Sequence, residues 1–335
     1  MAPSEPAKPT SAPANSTSAP ANSTGVPANV TGVSTNSTGV SDQSILDSAS
    51  RPIQRVLIIG AGWTGRQIAG QMVAYGLNVT LVDNSAQALD VSRSWILEQR
   101  ESFFEQGYWP DVSRDILASR IRTASGIDAV TGEYDLVLES VSEQFSLKRR
   151  IIKTYSERFP SPTIIASNSS YFTPSMLQPH VVTPERFANF HFHVPIWRAT
   201  LVDIASGPLT DDATVQRLVV LAIHIGQTPL VQRVENPGYV FNWMLKALLQ
   251  SALQLVDRKV AQPADIDMAW KKVTGMAIGP FGIMDQIGVD LIHQTMSHAR
   301  FVDGDEEWQP LVDILQPYVD SNRLGVKTGQ GFFDY

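Results

Sequence analysis

The stretch VLIIGAGWTG, residues 56–65, runs directly into RQIAGQMVAYG, residues 66–76, and its reading decides the fold. Val56 to Ile59 form a short, continuous apolar run, the pattern of a strand buried on both faces. Gly60, Gly62 and Gly65 follow at once in the spacing G-x-G-x-x-G, before a helical run. In such a unit the first glycine makes the tight turn and the second lets a pyrophosphate approach the backbone. The third lets helix and strand pack closely, with the phosphate on the helix N-terminus. The next strand, VTLVD (79–83), ends on Asp83, where a carboxylate accepts hydrogen bonds from an adenosine ribose. Asn84 and Ser85 follow it, with no adjacent Arg or Lys to neutralise a 2′-phosphate, so the expected cofactor is NAD rather than NADP.

Outward from this unit, short strand-like runs alternate with longer helical ones: DLVLE (135–139), TIIAS (163–167), FANFHF (187–192) and LVDIA (201–205). Continuous apolar strands separated by helices predict an α/β, Rossmann-type, doubly wound parallel sheet over residues 51–235. After Asn236 the strand pattern stops, and residues 236–335 read as an all-α C-terminal domain for substrate binding and dimerisation. The run from Val240 to Val256 is apolar nearly all round, which suits burial in a bundle or against a second copy, and a homodimer is expected.

Residues 1–50 differ from the rest, with a degenerate seven-residue repeat (SAPANST, SAPANST, GVPANVT, GVSTNST), no aromatic residue and only four charges. Such a segment buries too little apolar area to offset its ordering entropy and is expected to be a disordered tail. MAPSEPAKPTSAP resembles neither a secretory signal nor an Arg-rich transit peptide, and a cytoplasmic location is expected. The 26 basic residues against 33 acidic ones, net charge −7, lack the excess that nucleic-acid binding needs. No apolar run approaches the roughly 18 residues of a membrane span. The absence of cysteine removes disulfides, thiolate metal sites and cysteine nucleophiles, and no metal is expected.

GAGWTGRQIA, ESVSEQFSLKRR, SNSS (167–170), HFHVP (191–195) with LVDI after it, NPGYVFN (236–242), GPFGIMDQIGVD (279–290) and LGVKTGQGFFDY (324–335) stand in an order and spacing that resemble the 3-hydroxyacyl-CoA dehydrogenase family, including its L-gulonate 3-dehydrogenase branch. The resemblance runs from about residue 53 to the end. It implies a catalytic His at His191, an orienting carboxylate at Asp203 where the family has Glu, and oxygen-binding groups at Ser170 and Asn242. It also implies that Glu143, Lys148 and Lys327 line the nicotinamide half of the cofactor, beside Gly60, Gly62, Gly65 and Asp83 at the other half.

The chain departs from the family at Val194, which precedes Pro195 where the family has Asn, and at Trp243, where it usually has Arg. It also has no Lys between Lys8 and Lys148, whereas acyl-CoA enzymes carry lysines for the CoA phosphates on the segment after the second strand. Here that segment holds Glu98, Glu101, Glu105 and Asp111 against Arg100. The resemblance thus implies an NAD-dependent oxidoreductase that interconverts a small-molecule 3-hydroxyacyl or free 3-hydroxy-acid substrate and its 3-keto form. The alternative is an NAD-binding relative with little or no catalytic activity.

Overall fold

Val56, Leu57 and Ile58 are fully buried in the computed structural model, which describes residues 51–160, 162–303 and 308–335. The repeat-bearing tail, expected to be disordered, lies outside the described residues. The first glycine-rich unit comprises β1 (Arg55–Ile59), α1 (Trp63–Ala74) and β2 (Asn78–Asp83). It continues through α2 (Ala86–Glu105), α3 (Arg114–Arg120) and β3 (Ile121–Ser125). The second half comprises β4 (Leu136–Glu139), α4 (Phe145–Arg158), β5 (Ile164–Ser167), the single turn α5 (Pro174–Leu177) and β6 (Phe187–Phe192). Then come β7 (Leu201–Ser206), α6 (Asp212–His224) and β8 (Thr228–Val231). The strands form one sheet in the order β3-β2-β1-β4-β5-β6-β7-β8. The order reverses between β1 and β4, the switch point where a doubly wound sheet binds its ligand.

Two features correct the sequence expectation. First, β3 and β8 are additional strands at the two edges of the sheet. Arg122 and Thr123 are exposed in β3, and Pro229 sits in β8, so neither segment shows the apolar run of a central strand. Second, β7 runs antiparallel to β6, whereas every other pairing is parallel. A parallel crossover needs a dozen or more residues, and the link from Phe192 to Leu201 is shorter than that. The consequence is a direct cross-strand pairing of His191 with Asp203.

The helical C-terminal part comprises α7 (Phe241–Asp257), α8 (Pro263–Thr274), α9 (Pro280–Ile287), α10 (Val289–Asp303) and α11 (Gln309–Asp320). Its core gathers Leu249, Leu253, Phe281, Met284, Val289, Leu311 and Leu315, each contributing about 1.5–3 kcal/mol on burial. Two buried acids fasten it. Asp267 accepts the amides of Phe281 and Gly282 at the start of α9, and Asp285 accepts those of Phe332 and Phe333 together with the Tyr335 hydroxyl. Helix α7 buries only a stripe, Leu249, Ala252 and Leu253, and leaves Phe241, Trp243 and Met244 exposed. No helix among the described residues is long and apolar enough to cross a membrane.

Candidate active site

The three loop glycines do different work. At Gly60, with φ +106°, an added Cβ would lie 2.5 Å from the Ser140 carbonyl oxygen, and at Gly65 one would lie 1.9 Å from that of Gly60. Both are glycine because neighbouring backbone leaves no room. At Gly62 an added Cβ would meet no atom within 4 Å, and Gly62 is the N-cap of α1, with no side chain capping that end. Open space before uncapped amides on the positive end of a helix dipole fits a pyrophosphate. Asp83 accepts from Ala61 N at 2.9 Å and from Ser85 N at 2.9 Å, one on each oxygen. Each oxygen keeps a further acceptor position for a ribose hydroxyl. The residues present therefore fit NAD.

Beneath the other half of the cleft lies a buried ionic cluster. The Lys148 ammonium is 2.8 Å from Glu139 Oε1 and 3.2 Å from Glu143 Oε2, and it donates to the Val141 carbonyl at 3.2 Å. Glu139 and Lys148 are each 1% exposed, and Glu139 also accepts from the Ser167 hydroxyl at 2.7 Å. Glu143 accepts from the Ser169 hydroxyl and from the amides of Ser170 and Tyr171. Lys148, expected along the nicotinamide half of the cofactor, is a buried ammonium with three protein acceptors, Glu143 among them. Glu143, over a third exposed, braces the loop that presents Ser170. Lys327 lies apart, ion-paired with Asp290 in the helical part.

The loop delivers Ser170 to His191. Ser170 Oγ is 3.0 Å from His191 Nε2. The imidazole is about 5% exposed and stacks on the Tyr239 ring at 4.6 Å. The Tyr239 hydroxyl in turn donates to the Ser169 carbonyl at 2.6 Å and accepts from Asn189 Nδ2 at 3.0 Å. Asn168 Oδ1 accepts from Phe192 N, tying the loop to β6. Burial holds the proton affinity of His191 below the ordinary histidine value, although Asp203 opposes that shift. The ring is therefore neutral near pH 7, with Nε2 facing the Ser170 hydroxyl.

Asp203 is fully buried, and its Oδ2 meets two imidazoles: His193 Nε2 at 2.8 Å and His191 Nδ1 at 3.5 Å. Burial alone would raise its pKa, but hydrogen bonds from the two rings outweigh that and hold it below the usual carboxylate value. The donor atoms of His191, His193 and Asp203 lie within 4.8 Å of one another, a set that could ligate a metal. At 2.8 Å, however, the His193–Asp203 contact is shorter than the roughly 3.3 Å between neighbouring ligands of a tetrahedral ion bound at about 2.0 Å. It is a hydrogen-bonding distance. Asn242 is half-buried in the first turn of α7, three residues after Tyr239, and shows no side-chain hydrogen bond among the described residues.

Glu139, Tyr239, Asn189 and His193 were not legible as site residues. Glu139 reads as the end of an apolar strand, and only a buried lysine nine residues on, as Lys148 is, could have flagged it. Tyr239 carries a local signal, φ +55° after Asn-Pro-Gly, that marks a constrained turn and not a catalytic neighbour.

A phosphate-ready loop at the switch point, together with a neutral buried histidine aimed at a serine hydroxyl, defines a nicotinamide-dependent alcohol dehydrogenase. Residues 55–235 match the NAD-binding domain of 3-hydroxyacyl-CoA dehydrogenase and residues 238–335 match its C-terminal domain, so the chain belongs to the 3-hydroxyacyl-CoA dehydrogenase family. It is an NAD-dependent oxidoreductase acting on a 3-hydroxyacyl or hydroxy-acid substrate. Human mitochondrial hydroxyacyl-coenzyme A dehydrogenase is 30% identical over 288 residues, covering 84% of this chain and 91% of its own. The 5-formyl-3-hydroxy-2-methylpyridine 4-carboxylate 5-dehydrogenase of Mesorhizobium japonicum is also 30% identical, covering 84% and 91%. Among solved structures, a diketoreductase acting on dicarbonyl compounds superposes with a TM-score of 0.78 at 30% identity, covering 85% of this chain and all of its own. The (S)-3-hydroxybutyryl-CoA dehydrogenase of Ralstonia eutropha gives 0.75 at 28% identity, covering 84% and 99%. These comparisons favour the active enzyme over the inactive alternative.

Proposed function

We propose that His191 is the general base of this dehydrogenase and that its substrate is a 3-hydroxy compound not carried on coenzyme A. NAD supplies the hydride acceptor. Nε2 of His191 takes the hydroxyl proton, Ser170 holds the same oxygen where charge develops, and Asn242 offers its amide from α7. The 3.0 Å contact of Ser170 Oγ with His191 Nε2 carries this reading, since it places both atoms within reach of one substrate oxygen. Gly62 and Asp83 take the pyrophosphate and ribose, while Glu143 stands by the nicotinamide end. Lys327, paired with Asp290, completes that end only if it leaves its partner.

The non-CoA reading rests on α2 and the turn after it. Glu98, Glu101, Glu105 and Asp111 are exposed there, and the Arg100 guanidinium is held by Glu101 at 2.9 Å and Asp111 at 2.7 Å. Such a face disfavours a 3′-phospho-ADP. Beside it Trp63, just after Gly62, packs edge-on with Trp95 at 5.8 Å and Trp197 at 6.3 Å, a wall suited to a flat apolar substrate body. Two copies pair through the exposed Phe241, Trp243 and Met244 of α7 and Met268 of α8.

NADH oxidation is to be followed with acetoacetyl-CoA and with ethyl benzoylacetate. A kcat/KM at least tenfold higher for the ester is expected, and the reverse ranking restores a CoA substrate. Light scattering at micromolar concentration should give twice the chain mass.

A further inference from the structure

His193 is nine-tenths buried beside the reacting centre, and nothing in the proton transfer uses it. It lies one residue past the end of β6 and two residues from His191, and its ring meets that of His191 edge-on at 4.8 Å. On β7, Asp203 stands directly opposite His191, which brings one carboxylate under both rings. The distances then rank the partners. Asp203 Oδ2 is 2.8 Å from His193 Nε2 but 3.5 Å from His191 Nδ1. A contact at 3.5 Å is at the margin of a hydrogen bond, whereas 2.8 Å is a strong one. Asp203 Oδ1 has no hydrogen-bond partner among the described residues, so this one short contact sets the rotation of the carboxylate. His193 is itself fixed by edge contacts with His191 at 4.8 Å and with Phe241 at 5.4 Å.

We infer that His193 is a positioning residue: its Nε2–H holds the short Asp203 side chain so that Oδ2 faces His191 Nδ1 and keeps His191 in the tautomer whose Nε2 is free. The inference rests on His191 as base and adds what an aspartate needs in order to orient it. An Asp is one methylene shorter than a Glu and leaves a gap to the imidazole. Without a second donor the carboxylate would turn within that gap, and His191 would lose its preference for the Nδ1–H form. The site is therefore a His–Asp–His arrangement in which only the first imidazole meets substrate.

Four variants of the full chain test it, assayed for kcat, KM and NADH affinity on ethyl benzoylacetate and acetoacetyl-CoA. His193→Phe keeps the ring and removes the donor. It should lower kcat roughly ten- to a hundredfold, the range for losing one charge-assisted hydrogen bond, with KM and NADH affinity within about twofold. His193→Gln restores an N–H donor and should recover most of that loss. His193→Phe combined with Asp203→Glu should also recover it, because the longer acid reaches His191 unaided. A His193→Phe enzyme within twofold of wild-type kcat overturns the inference, as does a His193→Gln enzyme no better than His193→Phe. Ring nitrogen resonances of the NADH complex give a second readout that needs no turnover: Nε2 protonated in His193 and Nδ1 protonated in His191. In His193→Phe the His191 signal should shift toward the other tautomer, and an unchanged His191 signal overturns the inference. If His191→Ala retains turnover, the base assignment falls whatever His193 does, so the two failures are distinct.

Discussion

Two carboxylates lie almost wholly buried in one sheet, Glu139 at the end of β4 and Asp203 on β7 with β5 and β6 between them, and they are neutralised in opposite ways. Glu139 faces a lysine ammonium at 2.8 Å and a serine hydroxyl at 2.7 Å, a closed set that carries its own counter-charge. Asp203 faces two imidazoles and keeps one oxygen without a partner among the described residues. The first cluster can only hold shape, because separating a buried ion pair leaves an uncompensated charge. The second contains His191, whose neutral ring can take up a proton during a catalytic cycle. Structural rigidity and proton chemistry thus occupy separate strands of one sheet, joined by the SNSS loop, whose Ser167 meets Glu139 and whose Ser170 meets His191.

The comparison breaks most sharply at His191. His191→Ala should lower turnover by roughly 10²–10⁴-fold, the usual worth of a positioned acid–base group, with NADH affinity by fluorescence titration unchanged. Near-wild-type turnover would remove proton chemistry from the second cluster. At Glu139, Lys148→Met should cost about 3–5 kcal/mol in urea unfolding, because the carboxylate is stranded. Adding Glu139→Gln should return much of that stability, and a single variant that unfolds like wild type would show that the cluster contributes nothing.

The pH response separates the clusters next. His191 has its folded-state proton affinity lowered by burial, so it stays neutral above about pH 6.5 and takes up a proton only further into acid. Oxidation should therefore hold its kcat/KM above about pH 6.5 and fall in acid, by up to about tenfold per unit. Folding stability has the same sign. The unfolded histidine binds its proton first, so stability declines as pH drops below about 6.5. Asp203 is held below its unfolded value, so its contribution is present above about pH 4 and lost below that. A profile for oxidation that rises toward acid would contradict the neutral base. The smallest effect lies at the cofactor's far end, where Asp83 repels a 2′-phosphate. Calorimetry should show NADH bound roughly tenfold or more tighter than NADPH, about 1.4 kcal/mol, and equal affinities would detach Asp83 from ribose recognition.

Legibility followed the range of the forces involved. Gly60, Gly62, Gly65 and Asp83 lie within one strand–helix–strand unit, whose parallel pairing of β1 with β2 brings the loop and Asp83 together, and so a single local motif named them all. The edge strands β3 and β8 could not, because exposed residues such as Arg122 and Thr123 dilute the apolar pattern. Lys148 was legible as a site residue, but its burial was not. Charge in a sequence suggests a surface, and only the placement of Glu139 beside it makes a buried ammonium stable.

Local periodicity and residues close in sequence were enough to determine the doubly wound sheet, the helical second part and the cofactor class, while the candidate base at His191 came from the resemblance of the ordered motifs to a known family. The tertiary structure alone decided what surrounds that base. His191 and Asp203 became direct neighbours because the link between β6 and β7 is too short for a crossover and turns the second strand back antiparallel. That reversal puts His193 on the same carboxylate, and chain folding from the start of α7 stacks Tyr239 on the ring. Hydrogen bonds of about 3 Å form between whichever groups the packing brings together. Their partners here come from segments ten to seventy residues apart, beyond the reach of any local pattern.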